Sequence, residues 1–296
     1  MRFVPRLTPL RGAAILVVVT ALWGSSFVVI KQIISDIPAA QINLARFIIA
    51  AIALSPFLRF HRQTWLRGLE MGVWLFAGFA TQTIGLRYTT VNRSAFITAM
   101  NVIFVPILAA IFGHRVRPIV WAAAITALIG CGLLCGDGHG PNIGDLWSLG
   151  TAITWAMYIF RLESIAAKFP PLPLAMAQIV PVAIFCGIWT AASHSPVTVL
   201  HWPSLIYLGV AATAATTWLQ TVAQRVVPAP QAAVIFTLEP VFAAFLGFII
   251  LGERLAFRGF IGASLIILAA VASQLPGMLE RPKVDLQTDF KEGDKS

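Results

Sequence analysis

The 296-residue chain is 58% hydrophobic and only 11% charged, with a mean hydropathy of +0.83, whereas an ordinary soluble domain carries roughly 25% charged residues. That balance excludes a soluble globular protein and indicates a polytopic membrane protein. The net charge of +9 does not indicate nucleic-acid binding, because Lys and Arg stand in ones to threes between apolar runs, where they set membrane orientation.

The N-terminal stretch MRFVPRLTPLRGAAILVVVTALWGSSF has the basic start and apolar run of a signal peptide. No A-x-A-like cleavage site follows and the run continues to Ile30, so it reads as an uncleaved first span. A spanning helix needs about 20 apolar residues. Ten such segments are predicted, at 12–30, 39–58, 68–86, 94–113, 118–136, 145–162, 172–192, 203–224, 231–251 and 258–277. The links between them, such as SDIP, RFHRQTWLR, GHRVRP, GDGHGPN and VVPAP, are short and rich in turn residues or charge, which favours antiparallel neighbours. ERPKVDLQTDFKEGDKS at 280–296 reads as a solvated, disordered tail.

Loop charges predict the topology. Arg2, Arg6, Arg11, Arg59, Arg62, Arg67, Arg115, Arg117, Arg161, Lys168, Arg225 and four cations in the tail fall on one side, fifteen in all. Lys31, Arg87, Arg93, Arg254 and Arg258 fall on the other, and Arg46 lies inside span two. The bias places both termini in the cytoplasm.

The halves also resemble each other. At an offset of 132, Gly12, Trp23 and Pro38 match Gly144, Trp155 and Pro170; at 138, Gln82, Thr83, Arg87 and Phe104 match Gln220, Thr221, Arg225 and Phe242. The expected units are 1–136, with spans one to five, and 137–279, with spans six to ten. Five is odd, so the second unit enters the membrane from the opposite side. Inverted repeats of this kind are typical of secondary transporters, whose substrate site lies near the midplane between the repeats.

LEPVFAAFLGFIILGERL, followed by FIGASLIILAAVAS, resembles the ninth and tenth spans of the EamA branch of the drug/metabolite transporter superfamily. ALWGSSFVVIK at 21–31 and LARFIIAAIAL at 44–54 resemble its first and second spans, and RSAFITAMNVIFVPILAAIFG at 93–113 its fourth. The first copy departs from the second: Asn101 and Val102 stand near where the second has Glu239 and Pro240, and Gly113-His114 replaces Gly252-Glu253. The resemblance implies an all-α integral membrane protein, with ten helices in two inverted five-helix repeats. They surround a central cavity lined mainly by spans one, three, four, six, eight and nine. It also implies alternating-access export of amino acids or related metabolites across the bacterial inner membrane, with the aromatic amino-acid exporters one candidate subgroup. Nucleotide-linked or lipid-linked cargo is the alternative.

Polar groups at lipid depth are costly and usually face a bundle interior or wet cavity. Thr81, Gln82 and Thr83 fall on span three, Thr98 and Asn101 on span four, Thr217, Gln220 and Thr221 on span eight, and Thr237 and Glu239 on span nine. Trp23, Trp155, Tyr158 and Trp218 add aromatic surface. Convergence of these groups makes an apolar pocket with a few directed polar atoms, the usual composition of a small-molecule site. Each also has a structural role open to it: Trp anchors interfaces, amides join helices, and Thr bonds its own backbone.

Glu239 has three roles open to it: holding a proton, binding a cationic amine, or exchanging protons during transport. Pro240 removes a backbone donor and bends the helix one turn earlier, freeing the Phe236 carbonyl. Arg46, seven residues into span two, reads as a structural charge that needs a partner or an aqueous cavity. Glu253 reads as a cap of the following loop, while the Gly132–Gly136 and Gly259–Gly262 pairs permit close helix approach.

Cys131, Cys135 and Cys186 read as packing thiols, and no metal site is expected since no histidine accompanies them. An intramembrane hydrolase is disfavoured because His61, His114, His139, His194 and His201 all fall in loops without an H-E-x-x-H motif. A channel is disfavoured by the lack of a filter motif. GDGHGP lacks P-loop spacing and no Walker motif occurs, so no cofactor is expected. The expected partners are a small-molecule substrate, the lipid bilayer and protons as a candidate coupling ion, in a monomer or weak homodimer.

Overall fold

The computed structural model describes residues 7–135, 140–194, 201–251 and 257–279. The expected tail at 280–296, the turn residues 136–139 with His139, Gly252-Glu253, and the cations Arg2, Arg6 and Arg254 lie outside the described residues. Among the described residues there is no strand, and the helices form ten rods. The first five are α1 (Pro9–Ile33), α2 (Ala39–Leu54), α3 (Arg62–Tyr88), the pair α4 (Val91–Thr98) and α5 (Asn101–Ile111), and α6 (Pro118–Cys135). The second five are α7 (Ile143–Ala166), α8 (Pro171–Ala192), α9 (Trp202–Gly209) with α10 (Thr216–Ala223), α11 (Ala229–Phe236) with α12 (Glu239–Leu251), and α13 (Phe257–Leu279).

Local sequence explains the starts. Thr8 caps α1, accepting from the Arg11 N–H at 3.3 Å, and Pro9 opens the first turn, where its missing N–H costs nothing. Proline precedes α2, α8 and α11 at residues 38, 170 and 228. Asn142 and Asp145 form a reciprocal capping box at the start of α7.

Eight rods are long and apolar enough to cross a membrane. The other two, α3 and α7, have 27 and 24 residues but carry more charge. They pack along each other, and Arg161 of α7 meets Glu70 of α3 at 2.6 Å. Charges satisfied by a neighbouring helix need not face lipid.

α6 and α13 approach closely at Gly130 and Gly262. A Cβ on Gly262 would lie 2.5 Å from the Gly130 carbonyl oxygen, and one on Gly130 2.8 Å from the Gly262 oxygen. The small-residue contact therefore uses Gly130 in place of the expected Gly132, whose nearest neighbour is the Phe96 ring at 3.6 Å.

Two rods are interrupted at equivalent places. α4 ends at Thr98 and α5 begins at Asn101; α11 ends at Phe236 and α12 begins at Glu239. The offset of 138 relates both ends and both starts. Pro240 has no N–H for the Phe236 carbonyl, but Val102 occupies its place in the first repeat, where its N–H turns instead to the Ala99 oxygen at 3.0 Å. The break thus belongs to the repeat, and proline is one way of making it. A third irregularity is a π-helical segment, Val210–Ala215, between α9 and α10.

Candidate functional site

The two breaks face a narrow cavity between the repeats, with a free volume of about 20 Å³, room for about one water. Trp23 and Ser26 reach it from α1, Phe79 and Gln82 from α3, and Trp155 and Ile159 from α7. Thr98 and Asn101 contribute from either side of the first break, Phe236 and Glu239 from either side of the second. Rings form a continuous series through the wall. Phe47, Phe79, Trp155, Trp23 and Phe236 follow one another with successive centroids 5.2, 5.2, 5.3 and 5.2 Å apart, the spacing of favourable tilted and edge contacts.

The polar atoms are under-satisfied. Trp23 Nε1, Thr98 Oγ1 and Asn101 Oδ1 are buried without a hydrogen-bond partner, whereas buried polar groups are normally paired. Glu239 is half-buried at the start of α12, where an acid complements the helix's positive end. Gly24 brings α1 against this point: a Cβ there would lie 2.7 Å from the Glu239 carbonyl oxygen.

Of the residues expected at the site, Trp23, Gln82, Asn101, Trp155 and Glu239 come together around the cavity, and Pro240, next in the chain after Glu239, is buried. Three lie elsewhere. Tyr158 is fully buried and donates to Gln178 Oε1 at 2.7 Å. Gln220 is buried and donates to Gln224 Oε1 at 2.9 Å. Trp218 is 36% exposed on the outer surface. Span eight therefore does not join spans one, three, four, six and nine in lining this cavity. Its π segment supplies the reason: an extra residue in the turn rotates the rest of the span relative to a regular helix. Ser26, Phe79 and Ile159 are lining residues that the sequence does not single out, and Phe236 enters the sequence reading only through its carbonyl. Ser26 follows Trp23 by three residues, Ile159 follows Trp155 by four, and Phe79 precedes Gln82 by three, spacings that share a helix face. Phe236 stands 138 residues after Thr98.

Arg46 is fully buried behind the cavity wall. Its Nε donates to Thr213 Oγ1 at 2.9 Å and its Nη2 to the Ala212 carbonyl at 3.1 Å, both in the π segment. Its guanidinium stacks over the Phe79 ring, 4.3 Å from the centroid. Nη1 has no partner. Asn43, one turn earlier on α2, donates to Thr83 Oγ1 at 3.1 Å, and Gln178 of α8 donates to the repeat-equivalent Thr221 at 3.4 Å.

Ion pairs join the repeats toward both ends. Arg93 of α4 holds Asp145 of α7 in a bidentate contact at 2.6 and 2.7 Å, beside Lys31, which donates to the Leu86 carbonyl at 3.1 Å. Glu70 and Arg161 join α3 to α7 toward the other end. On the α1–α2 turn, His201 and Ser35 hydrogen-bond Asp36 and hold its carboxyl below the ordinary carboxylate range.

A two-repeat helical bundle with interrupted helices around a narrow central cavity is the architecture of a membrane transporter of small molecules. The EamA-like transporter family model matches residues 10–136 and again 142–273, and the chain belongs to that family. It is 30% identical over 267 residues to an uncharacterized transporter of Archaeoglobus fulgidus, across 88% of this chain and 84% of the relative. It is 29% identical over 178 residues to the threonine/homoserine exporter RhtA of Escherichia coli K12, across 57% of this chain and 59% of that protein. One crystal structure superposes with a TM-score of 0.77 at 17% identity, across 90% of this chain and 97% of the other, a likeness of fold.

Proposed function

We propose that this protein exports amino acids, aromatic ones among them, or closely related metabolites across the bacterial inner membrane, with both termini in the cytoplasm. The observation that carries this reading is the cavity between the repeats, where two equivalent helix breaks meet an aromatic wall with unpaired polar atoms and one carboxylate. Apolar walls with a few directed polar groups are the usual composition of a small-molecule site. The similarity to a threonine/homoserine exporter supports the amino-acid class. A cavity narrowed to room for about one water suits a contracted stage of alternating access, since cargo enters only when the repeats move apart. Nucleotide-linked cargo is disfavoured because, among the described residues, no Lys or Arg lines the cavity, and phosphate recognition normally uses such groups.

Counterflow in proteoliposomes loaded with one unlabelled amino acid, over a panel including threonine, homoserine and the aromatic amino acids, tests the reading. Accumulation of label with at least one of them is expected. No exchange with any would overturn the amino-acid class.

A further inference from the structure

Resting on the export reading above, we propose that the cavity recognises its cargo through a cationic amine and gives a carboxylate no charged partner. Amines with an apolar or aromatic body are then ligands of this site in their own right. The cavity holds one ionisable side chain, Glu239. Among the described residues no Lys, Arg or His lines it, and Glu239 makes no ion pair or hydrogen bond with its side chain. Arg46 stacks on the ring of Phe79, which lines the cavity where Arg46 does not, and two of its donors are committed to the π segment.

The atoms near Glu239 reinforce this polarity. Asn101 Oδ1 is a buried acceptor without a partner, and the unpartnered Thr98 Oγ1 can accept as well as donate. An ammonium carries three N–H donors and no acceptor, so the Glu239 carboxylate with the oxygens of Thr98 and Asn101 in the same cavity lining match it. A carboxylate of the cargo would find only neutral donors such as Trp23 Nε1 and the Gln82 amide. The ring series from Phe79 to Phe236 offers faces to an apolar body and to the cation itself.

The test uses the purified full-length protein in detergent, with intrinsic tryptophan fluorescence as readout, since Trp23 and Trp155 form the wall. Three probes share one ring: phenethylamine carries only the amine, phenylalanine both groups, and 3-phenylpropionate only the carboxylate. Phenethylamine and phenylalanine are expected to bind within about tenfold of each other, and 3-phenylpropionate at least tenfold more weakly than either; charge-assisted bonds of this kind are the strong ones. Glu239→Gln is expected to weaken phenethylamine at least tenfold. Equal or tighter binding of 3-phenylpropionate, no binding of phenethylamine, or a Glu239→Gln protein with unchanged phenethylamine affinity would overturn the proposal. The comparison of probes needs only the wild-type protein, so a poorly folded variant does not remove the test. Counterflow of amino acids decides export separately: exchange of phenylalanine without binding of phenethylamine rejects amine recognition and leaves export standing.

Discussion

Arg46 and Phe79 are stacked, guanidinium over ring at 4.3 Å, so a fully buried cation on α2 backs an aromatic ring that faces the cavity from α3. The same Arg46 donates into the π segment of span eight. Arg46 Nη2 supplies the Ala212 carbonyl of that segment with a charged donor at 3.1 Å. Arg46→Leu should therefore strand that carbonyl and cost about 1–3 kcal/mol. Arg46→Glu should cost more, because it sets an acid against an acceptor that needs a donor. Arg46→Lys keeps the charge but loses the planar fork and the stack, and should fall between wild type and Leu. Thermal unfolding in detergent ranks the three, and a shifted tryptophan emission in Arg46→Leu would report movement of Phe79 against Trp155.

Gly24 sets how closely span one meets the second break. A side chain at residue 24 would lie 2.7 Å from the Glu239 carbonyl oxygen and 2.9 Å from the Phe242 Cβ. Backbone cannot swing aside as a flexible side chain can, so α1 and α12 must separate. Gly24→Ala should destabilise by about 1–3 kcal/mol, the usual cost of overpacking, and Gly24→Val by more. If separation at this point also widens the cavity, an engineered Ser26→Cys should be labelled faster by a thiol reagent in the Gly24→Ala background. Unchanged stability and unchanged labelling would show that the contact yields freely.

Much of the bundle is written in the sequence because bilayer thickness fixes the length of an apolar run. Even the less apolar α3 and α7 stand out as long segments between charged links. The break in span nine is visible at Pro240. Its counterpart in span four contains no proline between Thr98 and Asn101, and only the alignment of Asn101 with Glu239 points to it. Helix phase is harder to read. Trp218 and Trp155 look alike in sequence, yet one faces outward and the other the cavity, because the π segment at Val210–Ala215 rotates the α10 turns that carry Trp218. That segment is bonded by Arg46, distant in sequence, and no local pattern in VAATAA announces it. Tyr158 likewise differs from Trp155 only by facing Gln178 of α8 instead of the cavity.

The pair Asp36 and His201, 2.8 Å apart, links the α1–α2 turn to the start of α9. Its hydrogen bonds lower the Asp36 pKa in the folded protein. A carboxyl with a folded pKa below its unfolded value contributes stability above the unfolded pKa of about 4 and loses it as pH falls through the folded value. Both side chains are exposed, so the effect is small. Asp36→Asn should unfold at a slightly lower temperature than wild type at pH 6, and the difference should close as pH falls below about 4. A gap that is constant across that range would remove titration of Asp36 as its cause.

Among the described residues Glu239 is the one acid lining the cavity, so under the proposed amine recognition a proton and a cargo cation would compete for the same oxygens. If that competition couples transport, Glu239→Gln should lose the stimulation of export by an imposed pH gradient. Uptake of labelled phenylalanine into inverted proteoliposomes, with and without the gradient, separates the cases. A variant that still responds to the gradient rules out Glu239 as the coupling group. A wild type indifferent to the gradient indicates facilitated diffusion.

Arg93 and Asp145 join the first repeat to the second through two short contacts between side chains that are 14% and 15% exposed. Rocking of one repeat against the other must separate α4 from α7 at this end or carry them together, and the pair opposes separation. Asp145 also accepts from the Asn142 N–H in the α7 cap, so a single substitution disturbs two things at once. A double-mutant cycle isolates the ion pair. Arg93→Gln and Asp145→Asn should each speed thiol labelling of Ser94→Cys, which lies just inside the pair against Ser148 at 3.0 Å, in a background whose three native cysteines are alanine. The double variant should be labelled little faster than either single one, giving a coupling of about 1–3 kcal/mol. The exchanged pair Arg93→Asp with Asp145→Arg should slow labelling again if attraction between the repeats holds this end shut. Fully additive single effects would assign the closure to the α7 cap and to helix packing instead.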